Sequence, residues 1–258
     1  MDRFAIRRGA VLLVGLLGCF AGGATKAGAT ASTHIWAPST DVQRFKSLHV
    51  TSDLYLPVEL SASGSRLPSV TNLGLTVGVL PLRNLNLELG VDHKTGYGDL
   101  DAYPVYGNGK LGVPEGAFWR FLPALAVGIF DAGTKRGATD YNVVYAKAAK
   151  TLNPVGRVSA GYFRGNPKLL LDGSGGKDNA GVMLAWERTV PEISDRLWLC
   201  VDYMGTKSAY GTLNVGGSWK FTERMALLAG YEMYNDSRVS PNTITIQADV
   251  DFGGGGGK

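Results

Sequence analysis

The sequence predicts an all-β fold: an antiparallel up-and-down transmembrane β-barrel of about twelve strands. Three observations predict it. Stretches of roughly ten residues alternate apolar and polar side chains, the period of a strand with two different faces. The connections between them alternate between short and long. After the first 31 residues, no run approaches the ~20 apolar residues of a membrane-crossing helix. The composition agrees. Among 258 residues there are 36 glycines, and aromatics make up 10%. A mean hydropathy of +0.01 suits neither a helical membrane protein nor a disordered chain.

Residues 1–31 read as a signal peptide. Arg3, Arg7 and Arg8 form a basic start, Ala10 to Ala21 an apolar stretch, and Ala29-Thr30-Ala31 a cleavage site before Ser32. Leu16-Leu17-Gly18-Cys19 offers an alternative, a lipoprotein-type signal in which Cys19 would be acylated. Cleavage at Ala31 removes Arg3, Arg7, Arg8 and Lys26 against Asp2, so the formal charge falls from +4 to +1. The basic isoelectric point therefore belongs partly to the signal and argues for no nucleic-acid partner. Only Cys200 would remain, which excludes an internal disulfide. His34, His49 and His93 are scattered, with no zinc spacing. No cofactor or metal is expected.

Residues 32–47, with Trp36 and Pro38, read as an irregular periplasmic segment leading into a barrel at 48–252. The final strand, Thr243 to Phe252, alternates most cleanly. Ile244, Ile246, Ala248, Val250 and Phe252 share one face, and Thr245, Gln247, Asp249 and Asp251 the other. The stretches 84–92, 196–203 and 212–221 behave the same way. Weaker alternation marks 49–60, 70–80, 105–113, 122–131, 140–151, 157–164, 179–189 and 224–234. Short turns are expected at 81–83, 153–156, 191–195 and 222–223. Longer loops are expected at 93–104, 132–139, 165–178, 204–211 and 235–242. Ten residues at ~3.3 Å each, tilted ~45°, reach roughly 23 Å, the height of a barrel's apolar band. Closure also leaves no strand edge unpaired in lipid. Aromatics such as Tyr106, Trp119, Phe121, Phe130, Phe163, Trp186, Trp219 and Phe221 fall near strand ends, where interfacial girdles sit.

The strand Thr243 to Phe252 resembles the C-terminal assembly signal of bacterial outer-membrane β-barrels, an alternating strand ending in an aromatic residue. The resemblance covers roughly residues 45–252. It implies residence in the outer membrane of a Gram-negative cell, contact with its lipid, and handling by the barrel assembly machinery. The Gly-rich tail 253–258 departs from the pattern, in which the aromatic ends the chain.

Catalytic chemistry finds little support. A phospholipase-like site needs a Ser and a His together on a lipid-facing strand, with an orienting group. The nearest approach is His49 with Ser47 and Ser52. Gly173 to Lys177 lacks the spacing of a phosphate loop, since Asp178 follows the lysine, and reads as an extracellular loop. No catalytic residue is assigned.

The inward phase carries the charges. Asp53, Glu59, Glu88, Asp92, Glu187, Asp202, Glu232, Asp249 and Asp251 face Lys147, Arg157 and Lys220. Asp53, Glu88, Asp92, Arg157, Glu187, Asp202, Lys220, Glu232 and Asp249 are the candidate pore-lining set. Two readings stay open: a water-filled, mildly cation-preferring passage for small polar solutes or ions, or an interior closed by ion pairs. A structural or surface-interaction barrel and a lipid-modifying enzyme are the alternatives to porin-like passage.

Overall fold

The computed structural model describes residues 32–253. Twelve strands form one closed antiparallel barrel, each paired with its sequence neighbours and β1 with β12. In order they are β1 (Leu48–Pro57), β2 (Val70–Gly78), β3 (Asn86–Thr95), β4 (Val105–Val113), β5 (Ala124–Gly133) and β6 (Asp140–Leu152). Then come β7 (Gly156–Arg164), β8 (Ala180–Thr189), β9 (Leu197–Met204), β10 (Thr212–Thr222), β11 (Met225–Tyr234) and β12 (Thr243–Phe252). The single helix among the described residues, Asp99–Ala102, is short and sits in the β3–β4 loop. No helix among the described residues is long and apolar enough to cross a membrane. The expected signal and most of the Gly-rich tail lie outside the described residues.

The seam is in full register, with Leu48 opposite Phe252 and Pro57 opposite Thr243. The alternation falls as expected. Leu73, Leu75, Leu89, Val91, Val127, Val144, Leu184, Val215 and Ile246 are exposed on the outside. Their polar neighbours face in, among them Thr76, Glu88, Lys110, Lys147, Asp202, Asn214 and Gln247, all buried. In water such an exterior would be one large sticky patch. Facing lipid, with every strand edge paired, it is the outside of an outer-membrane barrel.

Three details differ from the sequence reading. The connection at 114–123 lies on the short-turn side yet is longer than the 134–139 loop opposite. It carries Phe118, Trp119 and Phe121, all more than half exposed, as expected of an interfacial girdle. The aromatics divide, however, since Tyr106 and Phe163 are fully buried inside. Phe163 joins Val143, Tyr145, Met183 and Met204 in an inner apolar cluster, closed by Leu170 and Tyr210 from the loops. Finally, Glu59 lies beyond the end of β1, exposed in the β1–β2 loop.

The segment 32–47 is the largest departure. Residues 32–43 do not hang below the barrel but run up inside it, while Arg44, Phe45 and Lys46 are exposed. His34, Ile35, Ala37, Ser39 and Thr40 are buried. A tight reversal brings the Ser39 N–H back to the Ser32 carbonyl at 3.0 Å. The wall is cut to fit it. A Cβ at Gly78 would stand 1.8 Å from the Arg44 carbonyl oxygen, an impossible contact. A Cβ at inward-facing Gly216 or Gly230 would crowd the Ile35 side chain, at 3.1 and 2.9 Å. Glycine abundance here serves an inner wall as well as turns.

Candidate functional site

The lumen is the candidate site, and the threaded segment divides it. The segment is docked by charge, chiefly along β6–β12, with Lys110 of β4 also donating to the Ser32 carbonyl at 2.8 Å and Glu88 of β3 accepting the Gln43 N–H at 2.7 Å. Asp202 accepts the backbone N–H groups of Ile35 at 2.8 Å and of Trp36 and Ala37 at 3.2 Å each. Its remaining acceptor capacity takes the Asn214 amide at 2.7 Å. Lys147 donates to the Pro38 carbonyl at 2.8 Å. Arg157 donates to both oxygens of Asp41 at 2.8 Å and to the Thr40 hydroxyl at 2.7 Å. Glu187 lies 3.5 Å from both Arg157 and His34 and accepts the Trp198 indole N–H at 3.0 Å. From β12, Gln247 donates to the Ile35 carbonyl at 2.8 Å. Burying a charge is costly unless it is paired, and each of these charged groups has a partner.

Along β1–β5 a polar cavity of about 140 Å³ remains. At ~30 Å³ per molecule it would hold a handful of waters. Its carboxylates are Asp53, Glu88, Asp92, Asp131 and Asp249, against Lys94, Lys110 and His49. Three acids are paired: Glu88 with Lys110 at 3.1 Å, Asp131 with Lys94 at 2.5 Å, and Asp249 with His49 at 3.3 Å. Asp53 and Asp92 make no ion pair among the described residues. Neutral donors hold them instead. Thr51 and Asn72 donate to Asp53 at 2.6 and 2.9 Å, and Asn108 donates to Asp92 at 2.7 Å. Trp36, Tyr55, Phe130, Tyr145 and Tyr210 complete the lining. The Tyr210 hydroxyl, in the β9–β10 loop, donates to Asp131. Burial, with Asp131 beside it, pushes the Tyr210 phenol well above its ordinary range, so it stays a donor.

Every proposed pore-lining residue lies on the inward phase of its strand. The structure gathers Asp53, Glu88, Asp92 and Asp249 around the cavity. It sets Arg157, Glu187 and Asp202 against the threaded segment. Glu232 is fully buried, and neither carboxyl oxygen has a partner among the described residues. Lys220 is only partly buried, at the short-turn end of β10. Sequence reasoning missed Lys94, Lys110 and Asp131. Lys94 was placed in a loop, but β3 continues to Thr95. Asp131 enters the lumen through a register shift between Phe130 and Ala132, with φ +52° at Asp131. Such a bulge re-aims a side chain that strict alternation would send outward.

The hydrolase arrangement is not assembled at His49. Its ring faces inward, with Nε2 3.3 Å from Asp249 and Nδ1 2.8 Å from Asp251. Ser52 is exposed on the opposite face. The Ser47 hydroxyl is spent on Gln43 and the Arg44 carbonyl. The Gly173–Lys177 segment is a loop ordered by Asp172, which accepts the Ser174 and Gly176 N–H groups at 2.8 and 2.9 Å. No group of three or more potential metal ligands occurs among the described residues.

No protein-family model matches the chain, and no curated protein matches it. Solved structures do. The KdgM porin matches at TM-score 0.49 and 10% identity, over 80% of this chain and 98% of that one. The NanC porin matches at 0.47 and 10%, over 80% and 99%. Outer membrane phospholipase A from Escherichia coli matches at 0.45 and 14%, over 83% and 95%. These are likenesses of architecture; neither transport nor lipolysis is carried over from them. The closed cylinder, its apolar outside and its charged inside make this chain a twelve-stranded β-barrel of the bacterial outer-membrane type.

Proposed function

We propose that this barrel is a narrow, porin-like passage for small polar solutes or ions, with a preference for cations. The observation that supports it is the acid-rich cavity left beside the threaded segment, where five carboxylates face two lysines and a histidine. Fixed negative charge in a low-dielectric passage raises the local cation concentration and opposes anions. The barrel acts without catalysis in this reading, since His49 has both ring nitrogens turned to aspartates. Folding of the strands by the assembly machinery, with Phe252 ending the last, belongs to the same proposal.

Planar-bilayer recording under a KCl gradient tests it. Small conductance steps with a cation-selective reversal potential are expected. An anion-selective sign rejects the preference, and a silent bilayer rejects passage. Silence would favour the second reading, a closed barrel with a surface or structural role. The docking of the segment through Asp202, Lys147 and Arg157 is the observation on that side.

A further inference from the structure

The cavity contains a lobe rich in acceptors. Asp53 and Asp92, both on the cavity lining, have no cation in ion-pair contact, and Lys94 attracts Asp92 only from farther off. Between them Asn72 spends its amide N–H on Asp53. Its carbonyl oxygen is buried and has no donor among the described residues. The lobe is open because Gly74 has no side chain. A Cβ there would meet the Asp92 carboxylate and the Thr51 methyl, each at 2.7 Å. Beside the lobe stand the rings of Trp36 and Tyr55, edge to face with centroids 5.7 Å apart.

Two carboxylates with lone pairs to spare and one amide oxygen without a donor suit a cation with several N–H groups; an aromatic wall suits a hydrocarbon stem and a diffuse charge. A primary ammonium on a short alkyl chain has both. The same cavity already holds one ammonium in this manner. Lys94 Nζ lies 2.5 Å from Asp131 and 5.1 Å from the centroid of the Tyr106 ring. We propose that the lobe between Asp53, Asn72 and Asp92, walled by Trp36 and Tyr55, binds a small primary alkylammonium ion. This rests on the cation-preferring reading above and names the class of solute it would favour.

Titration of the full chain, folded in detergent micelles, with n-butylammonium at fixed ionic strength tests this. Tryptophan fluorescence or calorimetry serves as the readout. Saturable binding is expected for n-butylammonium and absent for n-butanol, its uncharged counterpart. Asp92→Asn and Asp53→Asn are each expected to weaken binding by roughly tenfold or more, as loss of a hydrogen bond to charge implies. Heat-modifiable gel mobility shows that each variant has folded. Equal binding of butanol, displacement by K⁺ at equal concentration, or no saturation in the wild-type chain overturns the assignment, and none of these needs a variant. Binding without bilayer conductance would retain the site and reject passage. Conductance without binding would do the reverse.

Discussion

The two halves of the lumen handle most of their buried charge differently. Along β6–β12, strand charges such as Asp202, Lys147 and Arg157 are consumed by the chain's own segment at 32–41. Along β1–β5, Glu88 and Lys110 also hold the segment, but Asp53 and Asp92 face open space with only neutral donors in hydrogen-bond contact. Both halves follow the same alternation in sequence. The difference lies in what fills them: a docked backbone that takes up the charges of Asp202, Lys147 and Arg157, or a cavity that leaves Asp53 and Asp92 with acceptor capacity to spare. An inward charge is therefore not by itself a pore-lining charge. Its partner decides whether it fastens structure or faces solute.

The comparison can be broken most severely by removing the docked segment. Deletion of residues 32–45 is expected to raise single-channel conductance several-fold, because the lumen beside β6–β12 would fill with water. An unchanged conductance would mean that the segment does not limit passage. Next in size is Asp202→Ala. It strips one carboxylate from three backbone N–H groups and from Asn214. Bare buried donors cost about 1–3 kcal/mol each, and loss of one member of a buried charged network reaches about 3–5 kcal/mol. The expected result is a lowered unfolding midpoint in denaturant and faster proteolysis of the segment. Asp202→Asn, which retains acceptor capacity, should lose less.

The smallest effect concerns the loop end. Asp236 joins the β11–β12 loop to the β7–β8 loop by accepting the Gly173 N–H at 3.1 Å. The Arg238 side chain beside it holds its carboxyl well below the usual carboxylate range. A depressed carboxylate contributes its full stability above its unfolded value of roughly 3.9 and loses it progressively as pH falls from there through the lower folded value. Protection of these loops from protease should thus be level from pH 7 to pH 4. Arg238→Ala should lower it modestly at both. A fall in wild-type protection between pH 7 and pH 5 would show that another group controls the loops.

Much of this architecture was legible because it rests on a period of two. The twelve strands and most of their inward phase follow from alternation, which survives wherever one face meets lipid and the other does not. What alternation cannot carry was missed. Ser32 to Ser47 has no period, and its place inside depends on contacts with β1–β12 that no local pattern encodes. Its one trace is the glycine at inward positions such as Gly78, Gly216 and Gly230, where a polar side chain would be expected. Asp131 was hidden for a related reason. A bulge shifts the count by one, and nothing in Gly128-Ile129-Phe130-Asp131 marks where the shift falls. The pairing of Lys94 with Asp131 and of Lys110 with Glu88 joins different strands, so position along the chain could not reveal it.

The seam gives the threaded segment a history. Ser47 passes directly into β1, and the ten β1–β12 pairs from Leu48–Phe252 to Pro57–Thr243 are what shut the cylinder. The hairpin at 32–39 must either be seated before the last strand finds the first or be pushed through a finished mouth. Tied to the first strand and gripped by strands as late as β12, it is placed to act as the mandrel around which the sheet is rolled.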